Sequence, residues 1–164
     1  VTRPWILTAV DFSGEAIRLC SRRVTCSTLR FVIANAVCLP FRESTFDAVI
    51  MFHVAGHALS AERHRIVDEA IRVVCPGGSV FFREFSRQDM RAGKGDETEP
   101  DTFMRGDGTT THYFDRDETR SLFSPMIEEW YHVHTWSMRI RGRDLPRAEI
   151  QAEFRKKTFD ILVC

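Results

Sequence analysis

Short, nearly unbroken apolar runs alternate with segments of helical period along the first half of the chain. Trp5 to Val10, Leu29 to Ala34, Phe46 to Phe52 and Ser79 to Phe85 are such runs, the pattern of strands buried in a parallel sheet. Ser13 stands as an N-cap, with Ala16, Ile17 and Cys20 following at helical spacing, so a helix is predicted over 14–23. A second helix, capped by Ser60, carries Ile66, Val67, Ala70, Ile71 and Val74 on one face. Leu39-Pro40-Phe41 breaks the second run, Arg42 to Thr45 reads as a loop, and Pro76-Gly77-Gly78 as a turn. Strand alternating with helix predicts an α/β fold whose parallel sheet is joined by helical crossovers.

The pattern changes after the fourth strand. Gln88 to Gly108 is polar and rich in glycine and charge, which predicts a mobile surface loop or lid. Asp115-Arg116-Asp117-Glu118 has the form of a capping box and opens a short helix to Phe123. Ile127 to Met138 has strand composition. From Arg147 to Arg155 alternation is strict, with Ala148, Ile150, Ala152 and Phe154 on one face. Arg147, Glu149, Gln151, Glu153 and Arg155 are on the other, as in a half-solvated antiparallel strand.

The 164 residues suffice for one domain with a core, and 23 basic residues balance 23 acidic ones. Zero net charge gives no global attraction to nucleic acid or to an anionic membrane, and no run is long enough to span a bilayer. Five scattered cysteines without a C-x-x-C pair point to reduced thiols and a cytoplasmic setting. His53 and His57 have metal-ligand spacing but straddle a strand end and a glycine without a third ligand, so no metal is expected.

Asp11, at the C-terminal edge of the first apolar run, stands where nucleotide-binding α/β folds bond a ribose; helix capping is the alternative. His53 ends the third run at the same kind of edge, as a ligand-lining or a structural histidine. Val10-Asp11-Phe12-Ser13, then Leu39-Pro40-Phe41 with Phe46-Asp47-Ala48-Val49, then Pro76-Gly77-Gly78, together resemble the class I S-adenosylmethionine-dependent methyltransferases. Arg83-Glu84-Phe85-Ser86-Arg87-Gln88-Asp89-Met90 and Phe103-Met104-Arg105-Gly106-Asp107-Gly108-Thr109 are similar to segments of the tRNA 3-methylcytidine methyltransferases, as is His112-Tyr113-Phe114.

The resemblance implies a Rossmann-like, mostly parallel sheet finished by a C-terminal antiparallel strand pair. It implies S-adenosylmethionine as cofactor, bound also by Phe12, with Asp11 on the ribose, Asn35 and Ala36 about the adenine, and His53 beside the methionine part. Glu84 or Asp89 would stabilise charge on the acceptor as catalytic groups, while Arg83, Arg87, Arg105 and Asp107 would bind substrate. A solvated ion-pair network is the alternative for that cluster. The family's Gly-rich loop and first strand have no counterpart in this sequence, Asn35 replaces an acid, and Glu84 replaces an aspartate.

The expected organisation is therefore a single domain over 1–164, N-terminally incomplete. Further sequence, a partner chain or a swapped strand of a homodimer would complete its sheet, since unpaired buried strand edges are costly. Three functions follow: methylation of RNA at cytidine N3, tRNA being the partner; methylation of a small molecule; or a noncatalytic methyltransferase-like subunit.

Overall fold

The structure, a computed structural model, describes residues 5–24 and 26–158. The apolar stretch Ile161-Leu162-Val163, read as a strand extension or an edge cover, lies outside the described residues. The chain divides into two compact units, with the boundary between Pro40 and Phe41.

In the first unit, β1 (Leu7–Asp11) runs parallel to β2 (Leu29–Ile33), with Asp11 opposite Ile33. The crossover helix α1 (Gly14–Arg23) starts where the Ser13 hydroxyl accepts from the Ala16 amide, and Arg22 and Arg23 sit in its last turn, opposite the helix dipole. The expectation of buried strands is not met: Trp5 is 84% exposed and Ile33 62%. One amphipathic helix cannot cover both faces of a two-stranded sheet.

The second unit carries β3 (Phe46–Phe52), a 3-10 turn at Ala55–His57, α2 (Ser60–Val73) and β4 (Val74–Phe85). There follow β5 (Asp96–Glu99), β6 (Thr102–Met104), β7 (Thr110–His112), α3 (Arg116–Leu122), β8 (Met126–Ile140) and β9 (Arg143–Lys156). The main sheet has the order β3-β4-β9-β8, parallel between β3 and β4 and antiparallel thereafter. Val80 and Phe82 on β4 meet Phe154 and Ala152 on β9 across one face, where Phe114 and Phe123 pack. Each fully buried phenylalanine there stabilises the fold by about 1.5–3 kcal/mol.

The structure corrects several boundaries. Pro76-Gly77-Gly78 lies inside β4 as an irregularity in the pairing with β3, not as a turn before it. Gly77 has φ 79, and a Cβ on Gly78 would lie 2.6 Å from the Asp47 carbonyl, so β3 passes too close for a side chain. Leu59, not Ser60, is the N-cap of α2; the Glu99 carboxylate accepts from the Ser60 amide at 2.8 Å in place of a local cap. The buried face of α2 is Arg63, Ile66, Val67, Ala70 and Val73, while Ile71 is only partly covered. At its other end, Lys156 donates to the carbonyls of Ile71 and Val74 at 2.6 and 2.7 Å.

The predicted loop over 88–108 is partly a sheet: its β5 and β6 form an antiparallel meander with β7, which follows it. Threonines and Phe103 supply its strand propensity, and the buried Thr102, Phe103, Thr111 and His112 fasten it. On α3, Asp115 caps as predicted, but Glu118 turns to His112 and does not close the capping box. On β9 the apolar face is buried as expected, yet Arg147 and Glu149 on the supposed solvent face are 4% and 1% exposed.

Candidate functional site

Parallel strands β3 and β4 bring their C-terminal ends side by side, and the site residues of the second unit gather there. His53 follows β3 immediately, extending the ladder with its amide on the Arg83 carbonyl at 2.9 Å. Its φ of 55 is left-handed, a conformation a non-glycine residue holds only where its surroundings compensate. The bend lays the imidazole against Phe85, with ring centres 4.7 Å apart. It also sets the two ring nitrogens between two buried carboxylates: Nδ1 is 3.7 Å from Glu84 Oε2, and Nε2 is 3.7 Å from Glu149 Oε2. Nδ1 is buried and has no hydrogen-bond partner.

Strand alternation explains the bridge. Glu84 shares the face of Val80 and Phe82, whereas Glu149 lies opposite Phe85 and belongs to the other face with Arg83. His53 stands at the strand end, where one ring reaches both. Glu84 Oε1 accepts from the Gly56 amide at 3.0 Å. A Cβ on Gly56 would lie 2.6 Å from the same carboxylate, so glycine is what admits it. Glu149 Oε1 accepts from Arg83 at 2.7 Å and from Gln151 at 2.8 Å.

Burial alone would raise Glu149, but Arg83, Gln151 and His53 outweigh it and hold the carboxyl below the usual carboxylate range. The unfolded chain then binds the proton more readily than the folded one in that interval. Glu149 therefore contributes its full stabilisation above its ordinary value of 4.5 and loses it as pH falls through the lower folded value. Acid titration followed by circular dichroism should show the midpoint of unfolding at lower stability below that pH, and Glu149→Gln should flatten the dependence. An unaltered acid limb in the variant would remove Glu149 from the account.

The other expected site residues divide between engaged and open. Asp89 is 3% exposed, and both its oxygens are used: Oδ2 accepts from Arg147 Nε at 2.6 Å and the Ala148 amide at 3.1 Å, and Oδ1 accepts from the Arg91 amide at 2.9 Å. A carboxylate so occupied does not face an acceptor, so the catalytic expectation for Asp89 gives way to a structural one. Arg87 is bound by Asp101 at 2.6 Å and Asp115 at 2.5 Å. Arg105 donates to the Tyr113 hydroxyl at 3.0 Å, and Asp107 shapes its own turn by accepting from the Thr109 amide at 2.9 Å. The bonds from Thr109 hold Asp107 below the ordinary carboxylate range.

In the first unit, Asp11 ends β1 with Oδ1 accepting from the Ser13 amide at 2.7 Å. Phe12 is 81% exposed beside it. Asn35 follows β2, its Oδ1 accepting from the Val37 amide at 3.1 Å, and the Ala34 amide bonds the Asp11 carbonyl at 3.1 Å. Asp11, Phe12, Asn35 and Ala36 thus lie at the same end of a parallel strand pair.

Sequence reasoning missed Arg63, Arg147 and Glu149. Arg63 is 4% exposed, donates to the Ala58 carbonyl at 2.8 Å, and has Glu99 and Glu118 at 3.5 and 3.8 Å. Burial draws its guanidinium below the ordinary value, against the pull of Glu118 and Glu99. Its position on the helical stripe with Ile66, Val67 and Ala70 was the available signal. Cys20, Cys26, Cys38 and Cys75 are free thiols, and among the described residues no helix is long and apolar enough to cross a membrane.

Residues 2–82 match the methyltransferase domain family. The chain is 31% identical over 125 residues to the tRNA N(3)-methylcytidine methyltransferase Mettl2 of Drosophila melanogaster, covering 72% of this chain and 38% of that protein. It is 27% identical over 159 residues to the tRNA N(3)-cytidine methyltransferase METTL2 of Bos taurus, covering 89% and 42%. The chain thus spans about two fifths of the length of these relatives. Its fold is that of a SAM-dependent methyltransferase from Methanosarcina mazei, with a TM-score of 0.75 at 22% identity over 92% of this chain and 82% of the other.

Proposed function

We propose, for a chain whose residues 2–82 match the methyltransferase domain family, that it binds S-adenosylmethionine and methylates an RNA cytidine at N3. The observation that carries the reading is the placing of His53 between the buried carboxylates of Glu84 and Glu149 at the C-terminal end of β3, where open α/β sheets take their ligands. The two relatives named for tRNA cytidine N3 methylation support the choice of acceptor.

The residues of the first unit fit the cofactor. Asp11 uses one carboxylate oxygen on Ser13, leaving Oδ2 to accept from a ribose hydroxyl. Phe12 presents an exposed ring to a base, and the Asn35 amide nitrogen is left to donate to its edge, with Ala36 adjacent. S-adenosylmethionine supplies a methyl group already activated on a sulfonium, so the protein contributes position and electrostatics. The N3 lone pair of cytosine is available without a base. The positive charge that reaches the ring is stabilised by a cluster in which two carboxylates outnumber the one Arg83 guanidinium. Glu84 and Glu149 act through the field and through His53, whose side chain is 33% exposed where theirs are 2%.

Calorimetric titration of S-adenosylhomocysteine into the chain tests the cofactor step. Binding is expected, and Asp11→Ala should weaken it about 10- to 100-fold, the loss of one charge-assisted hydrogen bond. An unchanged affinity in a folded variant would remove Asp11 from the ribose. A second reading, the noncatalytic subunit, is favoured by the exposed apolar side chains Trp5, Phe12, Ile33, Ile50 and Phe52. Absence of any binding by the chain would favour it.

A further inference from the structure

We propose that the depression lined by Arg91, Lys94, Gly95, Arg105 and Gly106 is a phosphate-binding pocket, and, resting on the RNA reading above, that it takes a backbone phosphate of the acceptor strand. Its volume is about 270 Å³ and no carboxylate lines it. The arginines nearest the candidate site are all neutralised: Arg83 by Glu149, Arg87 by Asp101 and Asp115, and Arg147 by Asp89. Among the described residues, Arg91 and Lys94 have no such partner, and Arg105 is bonded only to the neutral Tyr113 hydroxyl. Asp107 is close enough to feel the Arg105 charge, but its carboxylate is committed to Thr109. Three cations therefore converge on one concavity in a chain whose net charge is zero.

The pocket is also preorganised. Its first wall is the turn from Asp89 to Lys94, held by the Asp89 carboxylate on the Arg91 amide, by Ala92 on the Asp89 carbonyl at 2.9 Å, and by Lys94 on the Arg91 carbonyl at 3.2 Å. The buried Arg147 and Ala148 fix Asp89 in turn, which gives that residue its purpose. The second wall is the turn between β6 and β7, closed by Arg105 and Thr109. Gly95, at φ 112, joins the two walls, since a Cβ there would collide with the Met104 carbonyl. An arginine fork, a lysine point charge and glycine backbone that permits close approach form a set suited to a phosphoryl group.

The test uses the ¹⁵N-labelled chain and two probes. Inorganic phosphate should shift the Gly95 and Gly106 amide resonances, and Arg91→Gln combined with Lys94→Gln should abolish the response without altering the melting temperature. No shift in the unsubstituted chain, or the same shift in the variant, overturns the pocket. The second probe is a labelled transcribed tRNA, whose affinity is read against salt. The slope of log K with log salt should become shallower by about 0.7 in the double variant, the share of one lost single-strand phosphate contact. An unchanged slope with RNA bound overturns the backbone-phosphate assignment. Phosphate binding without any RNA binding overturns the RNA reading instead and identifies the pocket's ligand as a smaller phosphorylated acceptor.

Discussion

Under the proposed function, Glu84→Gln is expected to slow methyl transfer about 100-fold, the scale set by removing one preorganised electrostatic group. Affinity for S-adenosylhomocysteine should be nearly unchanged. The substitution is close to isosteric, and the amide oxygen can still accept from the Gly56 amide that Glu84 Oε1 holds at 3.0 Å. What disappears is the negative charge 3.7 Å from His53 Nδ1. Without it the cluster retains one carboxylate, Glu149, which Arg83 already neutralises at 2.7 Å. Single-turnover methylation of transcribed tRNA at saturating cofactor measures the step directly. Equal losses of rate and of cofactor affinity would show that Glu84 supports the fold of the site and not the charge transfer.

The second large effect is on stability. Asp89→Ala should lower it by about 3–5 kcal/mol, because truncation leaves the Arg147 guanidinium buried without its counter-charge. For a chain of this length that corresponds to a melting temperature lower by about 10–15 °C. The pair is 2.6 Å apart, with side-chain exposures of 0% for Asp89 and 5% for Arg147. Arg147 also sits over Phe85 and Trp136, with its guanidinium carbon 4.8 and 5.4 Å from the ring centres. Those contacts lose their electrostatic part if the arginine moves. Replacing both partners with Asp89→Leu and Arg147→Met should recover part of the loss, since it removes two desolvated charges together. Thermal melts of the two single variants and the double variant close the cycle. A single Asp89→Ala variant that melts like the unsubstituted chain would refute the assignment.

The sequence by itself determined much of the local structure. The apolar run Phe46 to Phe52 is a strand with those limits, and the helix over 14–23 begins at the Ser13 cap, because capping and periodicity are properties of neighbouring residues. The alternation of Ala148, Ile150, Ala152 and Phe154 fixed the buried face of β9. The methyltransferase resemblance likewise rested on short contiguous segments, and it agreed with the fold.

What only the tertiary structure decided are the pairings between residues far apart in the chain. Glu84 and Glu149 occupy opposite faces of the sheet, and no spacing in the sequence relates them; a left-handed His53 at the strand end brings both to one ring. Alternation read Arg147 as solvated, although the turn after β4 folds back over it and Asp89 neutralises it there. The glycine-rich stretch over 88–108 read as a mobile loop because its strands are short and polar. It is ordered by a carboxylate on Ser60, a threonine on His112 and the backbone of its own meander. Propensity acts within a few residues, whereas burial of charge is settled by whatever the finished fold places opposite.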